Sequence, residues 1–414
     1  MYKKLFTYKQ TLLNIFWRSL QIIARNGFSY VIFYLASFFL LKEDFGYYNY
    51  ILKITFFLAL FVDFGISMAA SKYTAEYDTI NKTHIKSLLS NSIILILLSG
   101  ITVTIISLLL NYFFFGGQYN NMLYLCPLFF LVPLTSLFDG VFRGLKRFRE
   151  LSYLTIITGI ISVIGFYFLI KFYGLKGAFY SQNLFYLLIL IGLSFQYGYI
   201  PLKFNKDIFS STIRYALIIG VIGIFMFLST QVDVLFLGYF EYYTEVGYYE
   251  IIFRFLTFIM MPYTIIGHVI SPDFTKHYTL KNYTWIRHKL KFSIVFSLLG
   301  SIIICLILYY FLPLIFELFF PKYNTFELHK MGRIMLVLFF SNMLNGFIPL
   351  IAIATGHARW GMYFIVTVGI LNVIFDYISI THWGIWGLIY STVILKSMAN
   401  ISFIGYYYFK IPKS

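Results

Sequence analysis

The sequence predicts an all-α integral membrane protein of about twelve transmembrane helices, in two six-helix lobes related by a parallel internal repeat. Three observations predict it. The 414-residue chain is 60% hydrophobic and only 12% charged, with mean hydropathy +0.80, whereas a soluble globular protein carries about 25% charged residues. Apolar runs long enough to span a bilayer, about 20 residues each, fill nearly its whole length. The chain also repeats itself at half length.

The clearest repeat begins at Glu43-Asp44-Phe45-Gly46-Tyr47-Tyr48 and ends at Lys53. It returns 201 residues on as Thr244-Glu245-Val246-Gly247-Tyr248-Tyr249, ending at Arg254. A second echo sets Gly174-Leu175-Lys176-Gly177 against Gly384-Ile385-Trp386-Gly387, 210 residues on. A third and weaker one sets Gly144 and Arg147 against Gly356 and Arg359, at a spacing of 212. The three occur in the same order in each half, so the expected lobes are residues 1–205 and 206–414.

Within them the apolar runs mark spans at 15–41, 47–69, 88–115, 122–142, 153–171 and 178–199. The second half gives 212–239, 247–271, 291–320, 332–354, 361–381 and 384–408. Polar breaks such as Gly116-Gly117-Gln118 and Pro321-Lys322 separate them. The N-terminus runs into the first apolar helix with no small-residue cleavage site and reads as a retained span. With these spans, 21 Lys and Arg fall on one side of the membrane and 5 on the other. That bias puts both termini in the cytoplasm. Six spans per repeat is even, so the halves share one orientation and their pseudo-two-fold axis runs along the membrane normal.

Composition excludes several classes. No sizeable soluble domain fits. The net charge of +16 follows from loop topology rather than from nucleic-acid binding. Cys126 and Cys305 lie in apolar segments, where neither a disulfide nor a metal site is expected. There is no phosphate-binding Gly-Lys-Ser loop, metal-ligand cluster or Ser/His/Asp arrangement, so no enzyme, metal or cofactor is expected. The 37 Tyr and 49 Phe supply interface belts and leave enough Tyr to line a polar cavity.

Charges inside spans cost at least about 2.5–3.5 kcal/mol each at the bilayer centre, so each asks for a reason. Lys53 and Arg254 lie at matching repeat positions, seven residues past the shared glycine, roughly 10 Å into their spans. They read as a cationic site for an anionic headgroup. For Arg254 the competing reading is an intrahelical pair with Glu250; Lys53 has only Asn49 at that spacing. Arg25 reads either as cavity-lining or as snorkelling, and Lys396 as facing the interior of the second lobe. Arg18 reads as snorkelling, and Arg333 as capping the outer end of span 10. Asp63, Asp233 and Asp376 are candidates for exchanging H+ or ligating Na+, against a bland reading as salt-bridge partners. Gly140 and Gly144 match a small-xxx-small spacing common by chance. His268 reads as a packing residue, and the basic loop 143–150 as topology or contact with anionic lipid.

The Glu43-to-Tyr50 start of span 2, then Phe61-Val62-Asp63-Phe64-Gly65-Ile66-Ser67 leading to Lys72-Tyr73, resemble the start of Wzx-type polysaccharide flippases. The Gly-x-x-Gly starts of spans 6 and 12 are similar too. That family belongs to the multidrug/oligosaccharidyl-lipid/polysaccharide exporter superfamily, and the resemblance covers essentially the whole chain. It implies two lobes around a V-shaped central cavity. It also implies movement of undecaprenyl-pyrophosphate-linked oligosaccharide units to the outer leaflet of a bacterial cytoplasmic membrane. Polymerase and glycosyltransferases are the implied partners, beside membrane lipids. Relatives that flip lipid II carry cations on helices 1, 2 and 8, where this chain has Arg25, Lys53 and Arg254. It departs from them in using Lys on helix 2 and in lacking two further spans. A cation-coupled exporter of drugs or small molecules on the same fold is the alternative.

Overall fold

A computed structural model describes residues 2–114 and 120–411. All regular structure among them is helical: α1 (Tyr2–Phe39), α2 (Lys42–Asp63), α3 (Ile66–Ile80), α4 (Thr83–Phe114), α5 (Leu128–Gly144), α6 (Phe148–Tyr197), α7 (Lys206–Tyr239), α8 (Tyr243–Thr279), α9 (Tyr283–Phe319), α10 (Phe326–Asn345), α11 (Ile348–Ala354) and α12 (Ala358–Lys410). Nine stretches among the described residues are long and apolar enough to cross a membrane. Two of these, in α6 and α12, run to 50 and 52 residues, about twice the length that spans a bilayer. Each therefore holds two spans. With α8, of 37 residues, the twelve expected spans are accounted for.

The two long helices reverse at a glycine. Gly174 (φ 55°, ψ −130°) and Gly384 (φ 61°, ψ −150°) adopt nearly the same backbone conformation, 210 residues apart. A side chain is strained there. Three residues on, the chain folds back on itself. A Cβ on Gly177 would sit 1.9 Å from the Leu169 carbonyl oxygen, and one on Gly387 would sit 2.5 Å from that of Ser379. In the first of these hairpins Leu151 packs with Ile189 and Leu193, closing it along its length.

The structure shifts the register of the third echo. The left-handed residue in the turn after α5 is Lys146 (φ 58°), and in the turn after α11 it is Gly356 (φ 82°). The spacing is 210, not 212. Arg147 N–H donates to Phe142 O at 2.9 Å and His357 N–H to Ala352 O at 2.8 Å, the same bond in both copies. Lys in the left-handed position hides the match from a search for identical residues. A fourth echo, Asn-x-Thr at the 201 spacing of the first, makes the same bond in both copies. The Asn81 side chain accepts from the Thr83 hydroxyl at 2.7 Å, and Asn282 from Thr284 at 2.9 Å.

Span 2 is not one helix. α2 ends at Asp63, Phe64 and Gly65 take left-handed conformations, and α3 begins at Ile66. The break is where the chain crosses α7 closely: a Cβ on Gly65 would lie 2.4 Å from Ala216 O and 2.7 Å from Gly220 N. Gly140 and Gly144 were expected to match by chance. They instead form the α5 side of a close crossing with α3, where a Cβ would meet Ser67 O at 2.4 Å and Thr74 Cβ at 2.7 Å.

The chain forms two compact units, Met1–Ile224 and Phe225–Ser414. In the first, α1 packs on α6, and α5 on α3 and α6. In the second, α10 packs on α12 and α9, and α11 on α8. The compact boundary falls inside α7, whereas the repeat boundary lies at its start. Residues before 224 pack on α3, as Tyr73 Oη does in donating to Ser211 O at 2.9 Å. Phe225 O lies against Gly369 of α12.

Candidate functional site

The second unit holds a polar cluster in its apolar interior. Asp233 of α7 is fully buried. Its Oδ1 accepts from the Thr392 hydroxyl at 2.6 Å and, at 3.5 Å, from Asn372 Nδ2. Its Oδ2 accepts from the Tyr249 hydroxyl at 2.7 Å and from the Lys396 ammonium at 2.7 Å. Four donors on one buried carboxylate satisfy its acceptor capacity.

Asp376 is buried beside it. Thr392 Oγ1 lies 3.2 Å from Asp376 Oδ1 as well, but one hydroxyl carries one proton, and the shorter bond goes to Asp233. Asp376 Oδ2 and Asn372 Oδ1 have no hydrogen-bond partner among the described residues. The Thr392 hydroxyl, 2.6 Å from an oxygen of one and 3.2 Å from an oxygen of the other, sets the two carboxylates side by side. Both are acceptors when ionised, so their approach is favourable only with a proton or a cation between them.

Helix spacing explains the convergence. Asn372 and Asp376, one turn apart, share a face of the first half of α12, and Thr392 and Lys396 share one on the second half. The hairpin at Gly384 brings these faces together. Tyr249 comes from the repeated Gly-Tyr-Tyr segment of α8.

The first unit has the same scaffold without the charges. Counting back from the ends of α1 and α7, Asp233 corresponds to Phe33; at the 210 spacing, Asp376, Thr392 and Lys396 correspond to Phe166, Gln182 and Tyr186. Tyr48, the counterpart of Tyr249, accepts from Gln182 Nε2 at 2.6 Å. The tyrosine hydroxyl is engaged in both copies, by Gln182 of the hairpin in the first and by Asp233 of α7 in the second; the two acids and the lysine belong to the second alone.

The other sequence-predicted residues are placed as follows. Asp63 accepts from Ser67 N–H at 3.1 Å and Ser67 Oγ at 2.8 Å, so both its oxygens hold the N-terminus of α3. Arg254 Nε donates to Glu250 Oε2 at 3.4 Å, the intrahelical pair expected as its competing reading. Lys53 is half-buried on α2, and Asn49, one turn before it, donates back to Phe45 O at 2.7 Å. Arg25 is exposed on α1. Arg333 lies 4.9 Å over the Tyr309 ring. Lys396, read as facing the second-lobe interior, does so, bound to Asp233. The side chain of His268 lies outside the described residues.

Two networks escaped the sequence. Asp139 of α5 pairs with Arg143 at 2.8 Å and accepts from Gln21 at 3.0 Å, with Arg18 bonded to Gln21 and 4.0 Å from Asp139. Arg18 is thus held by partners rather than merely reaching for water. Asn400, one turn past Lys396, donates to Asn342 at 2.7 Å and to Ser341 at 3.1 Å, and accepts from Asn345 at 3.0 Å. The signal for the second was the i, i+4 series Thr392, Lys396, Asn400; the first pairs residues 118 apart, which no local pattern reveals. Cys126 and Cys305 are free thiols that donate to the Met122 and Leu336 carbonyls. No group of three His, Cys, Asp or Glu gathers among the described residues.

Comparison with known proteins places the architecture. The family described as "Polysaccharide biosynthesis protein" matches residues 11–278, and the family MatE matches residues 219–378. No protein of curated function matches the chain in sequence. Among solved structures, an inward-facing multidrug resistance MATE transporter of the MOP superfamily superposes with TM-score 0.73 at 15% identity, over 95% of this chain and 94% of its own. A MOP superfamily transporter from Pyrococcus furiosus, described as having a binding pocket of reverse polarity, gives TM-score 0.66 at 15% identity over 97% and 95%. An outward-facing MATE transporter gives 0.63 at 16% identity over 96% and 95%.

Proposed function

We propose, from the premise that the chain belongs to the polysaccharide biosynthesis protein family, that this membrane transporter is a lipid-linked oligosaccharide flippase. It carries undecaprenyl-pyrophosphate-linked repeat units from the inner to the outer leaflet of a bacterial cytoplasmic membrane by alternating access, with both termini cytoplasmic. The observation that carries this reading is the cation repeated at one position in both halves, Lys53 and Arg254. A pyrophosphate cannot enter hydrocarbon without opposite charge, and a cation at the same repeat position of each half supplies it. Arg25, exposed on α1, adds a third. Arg254 shares its charge with Glu250, so the pyrophosphate competes with that carboxylate for the guanidinium. Amide groups such as those of Asn342, Asn345 and Asn400 suit sugar hydroxyls, and the polyprenyl tail stays in lipid. The enzymes that build and polymerise the glycan are the partners we assign.

Transport against a gradient needs a driving force, and we assign the coupling cation to Asp233 and Asp376. The unsatisfied oxygens beside them, Asp376 Oδ2 and Asn372 Oδ1, support this. Asp63 is left to hold α3, and Lys396 to the coupling cluster rather than to the pyrophosphate. A second reading, a cation-coupled drug exporter, draws on the MatE match, which spans Asp233 and Asp376. Complementation of a strain lacking its own oligosaccharide flippase separates the two. Restored surface glycan, lost in Lys53→Ala and Arg254→Ala at equal membrane expression, supports the flippase. Lowered drug susceptibility with no glycan supports the exporter.

A further inference from the structure

We propose that the Lys396 ammonium is a tethered counter-cation that competes with Na+ for Asp233 and Asp376. The proposal rests on the coupling role given to these carboxylates above and adds what sets their affinity for the ion.

The cluster is one positive charge short. Asp233 and Asp376 face one lysine, with Thr392, Tyr249 and Asn372 as neutral neighbours. Glu250, next along α8, is engaged by Arg254. The unsatisfied oxygens show where another cation would bind: Asp376 Oδ2 and Asn372 Oδ1, both on fully buried residues. One of these is an amide carbonyl. It takes up no proton near neutrality, but it is an ordinary ligand for a hard cation together with carboxylate and hydroxyl oxygens. That donor set points to Na+ rather than H+.

Asp233, however, is already saturated. For it to join the ion's shell, one of its four donors must leave. Thr392, Tyr249 and Asn372 are packed on helix faces and uncharged. Lys396 carries the charge that Na+ would replace, its side chain is 12% exposed where that of Asp233 is fully buried, and its four-carbon stem is flexible. It alone can withdraw and return. With Na+ bound the lysine gives way; with Na+ gone it closes on Asp233, so the buried carboxylates are never left without a counter-charge. The first unit shows that the fold does not need this arrangement for packing, since Phe33, Phe166 and Tyr186 fill the equivalent places of Asp233, Asp376 and Lys396.

The test is binding of radioactive Na+ to the purified full-length protein in lipid nanodiscs, with N-methyl-D-glucamine as the replacement cation. The proteins are wild type, Lys396→Met, Lys396→Gln and Lys396→Arg, with Asp376→Asn as the control for the site. Removing the competing ammonium should tighten Na+ binding roughly ten-fold or more in both Lys396→Met and Lys396→Gln, because displacing a buried ion-pair partner weighs at least that much on an equilibrium. Lys396→Arg should bind no tighter than wild type, and Asp376→Asn should lose binding. Wild-type affinity in both neutral variants would overturn the competition while leaving the coupling site in place. Absence of Na+ binding in every protein would remove the Na+ site itself, and the competition with it.

Discussion

Removing the Lys396 charge is the perturbation whose cost the structure fixes best. Its ammonium lies 2.7 Å from Asp233 Oδ2, with side-chain exposures of 12% and 0%. At an effective dielectric of about 20, two unit charges at that distance attract by about 6 kcal/mol. Most of this offsets desolvation, but removing one partner strands the other, at about 3–5 kcal/mol for a buried pair. Lys396→Met in Na+-free buffer should therefore lower the unfolding midpoint by about 3–6 °C, at an unfolding entropy of about 2 cal/mol/K per residue over the 414-residue chain. Asp233→Asn should cost less, because the freed ammonium has Asp376 within the same cluster. The double variant Asp233→Asn/Lys396→Met should lie closer to wild type than the sum of the singles, with a coupling of about 2 kcal/mol or more. The assay is thermal unfolding of the purified protein followed by size-exclusion chromatography or intrinsic fluorescence. Additive single effects would refute the reasoning, since they would mean the contact carries no pairing energy.

Other expected outcomes follow from close backbone approaches and buried pairs. Gly177→Ala and Gly387→Ala should each impair folding and membrane yield, since the new methyl would sit 1.9 or 2.5 Å from a carbonyl oxygen. Gly174→Ala meets no atom within 4 Å and should cost only the backbone strain of its positive φ, about 1–3 kcal/mol; equal yields for Gly174→Ala and Gly177→Ala would contradict this. Asp139→Asn should destabilise the first unit by about 1–3 kcal/mol through the loss of its bonds to Arg143 and Gln21. Pairing it with Arg143→Met should recover part of that loss in the same unfolding assay.

Much of the fold was legible because a bilayer imposes length and polarity on every span. The repeat added the rest, fixing the number of helices per half and the hairpins at Gly174 and Gly384. What stayed hidden is instructive. The third echo was misaligned by two residues because its constraint is a left-handed backbone, met by Lys146 in one copy and Gly356 in the other. Span 2 read as one apolar run because its break depends on how closely Gly65 approaches α7. Asp63, Asp233 and Asp376 looked alike as isolated acids in apolar runs. Only three-dimensional partners separate Asp63, consumed by Ser67, from Asp233 and Asp376, which meet across a helical hairpin. Lys396 had no local partner to announce it, since Asp233 lies 163 residues away.

The central claim is that a cation in each repeat carries a pyrophosphate-linked glycan across the membrane. It is met most directly by reconstituting the purified protein in liposomes with an undecaprenyl-pyrophosphate-linked oligosaccharide and measuring how much becomes accessible to a membrane-impermeant lectin from the opposite side. The wild type should translocate the lipid, Lys53→Arg should retain transport, and Lys53→Ala and Arg254→Ala should each abolish it with the protein still folded. Undiminished translocation by both alanine variants would contradict the account.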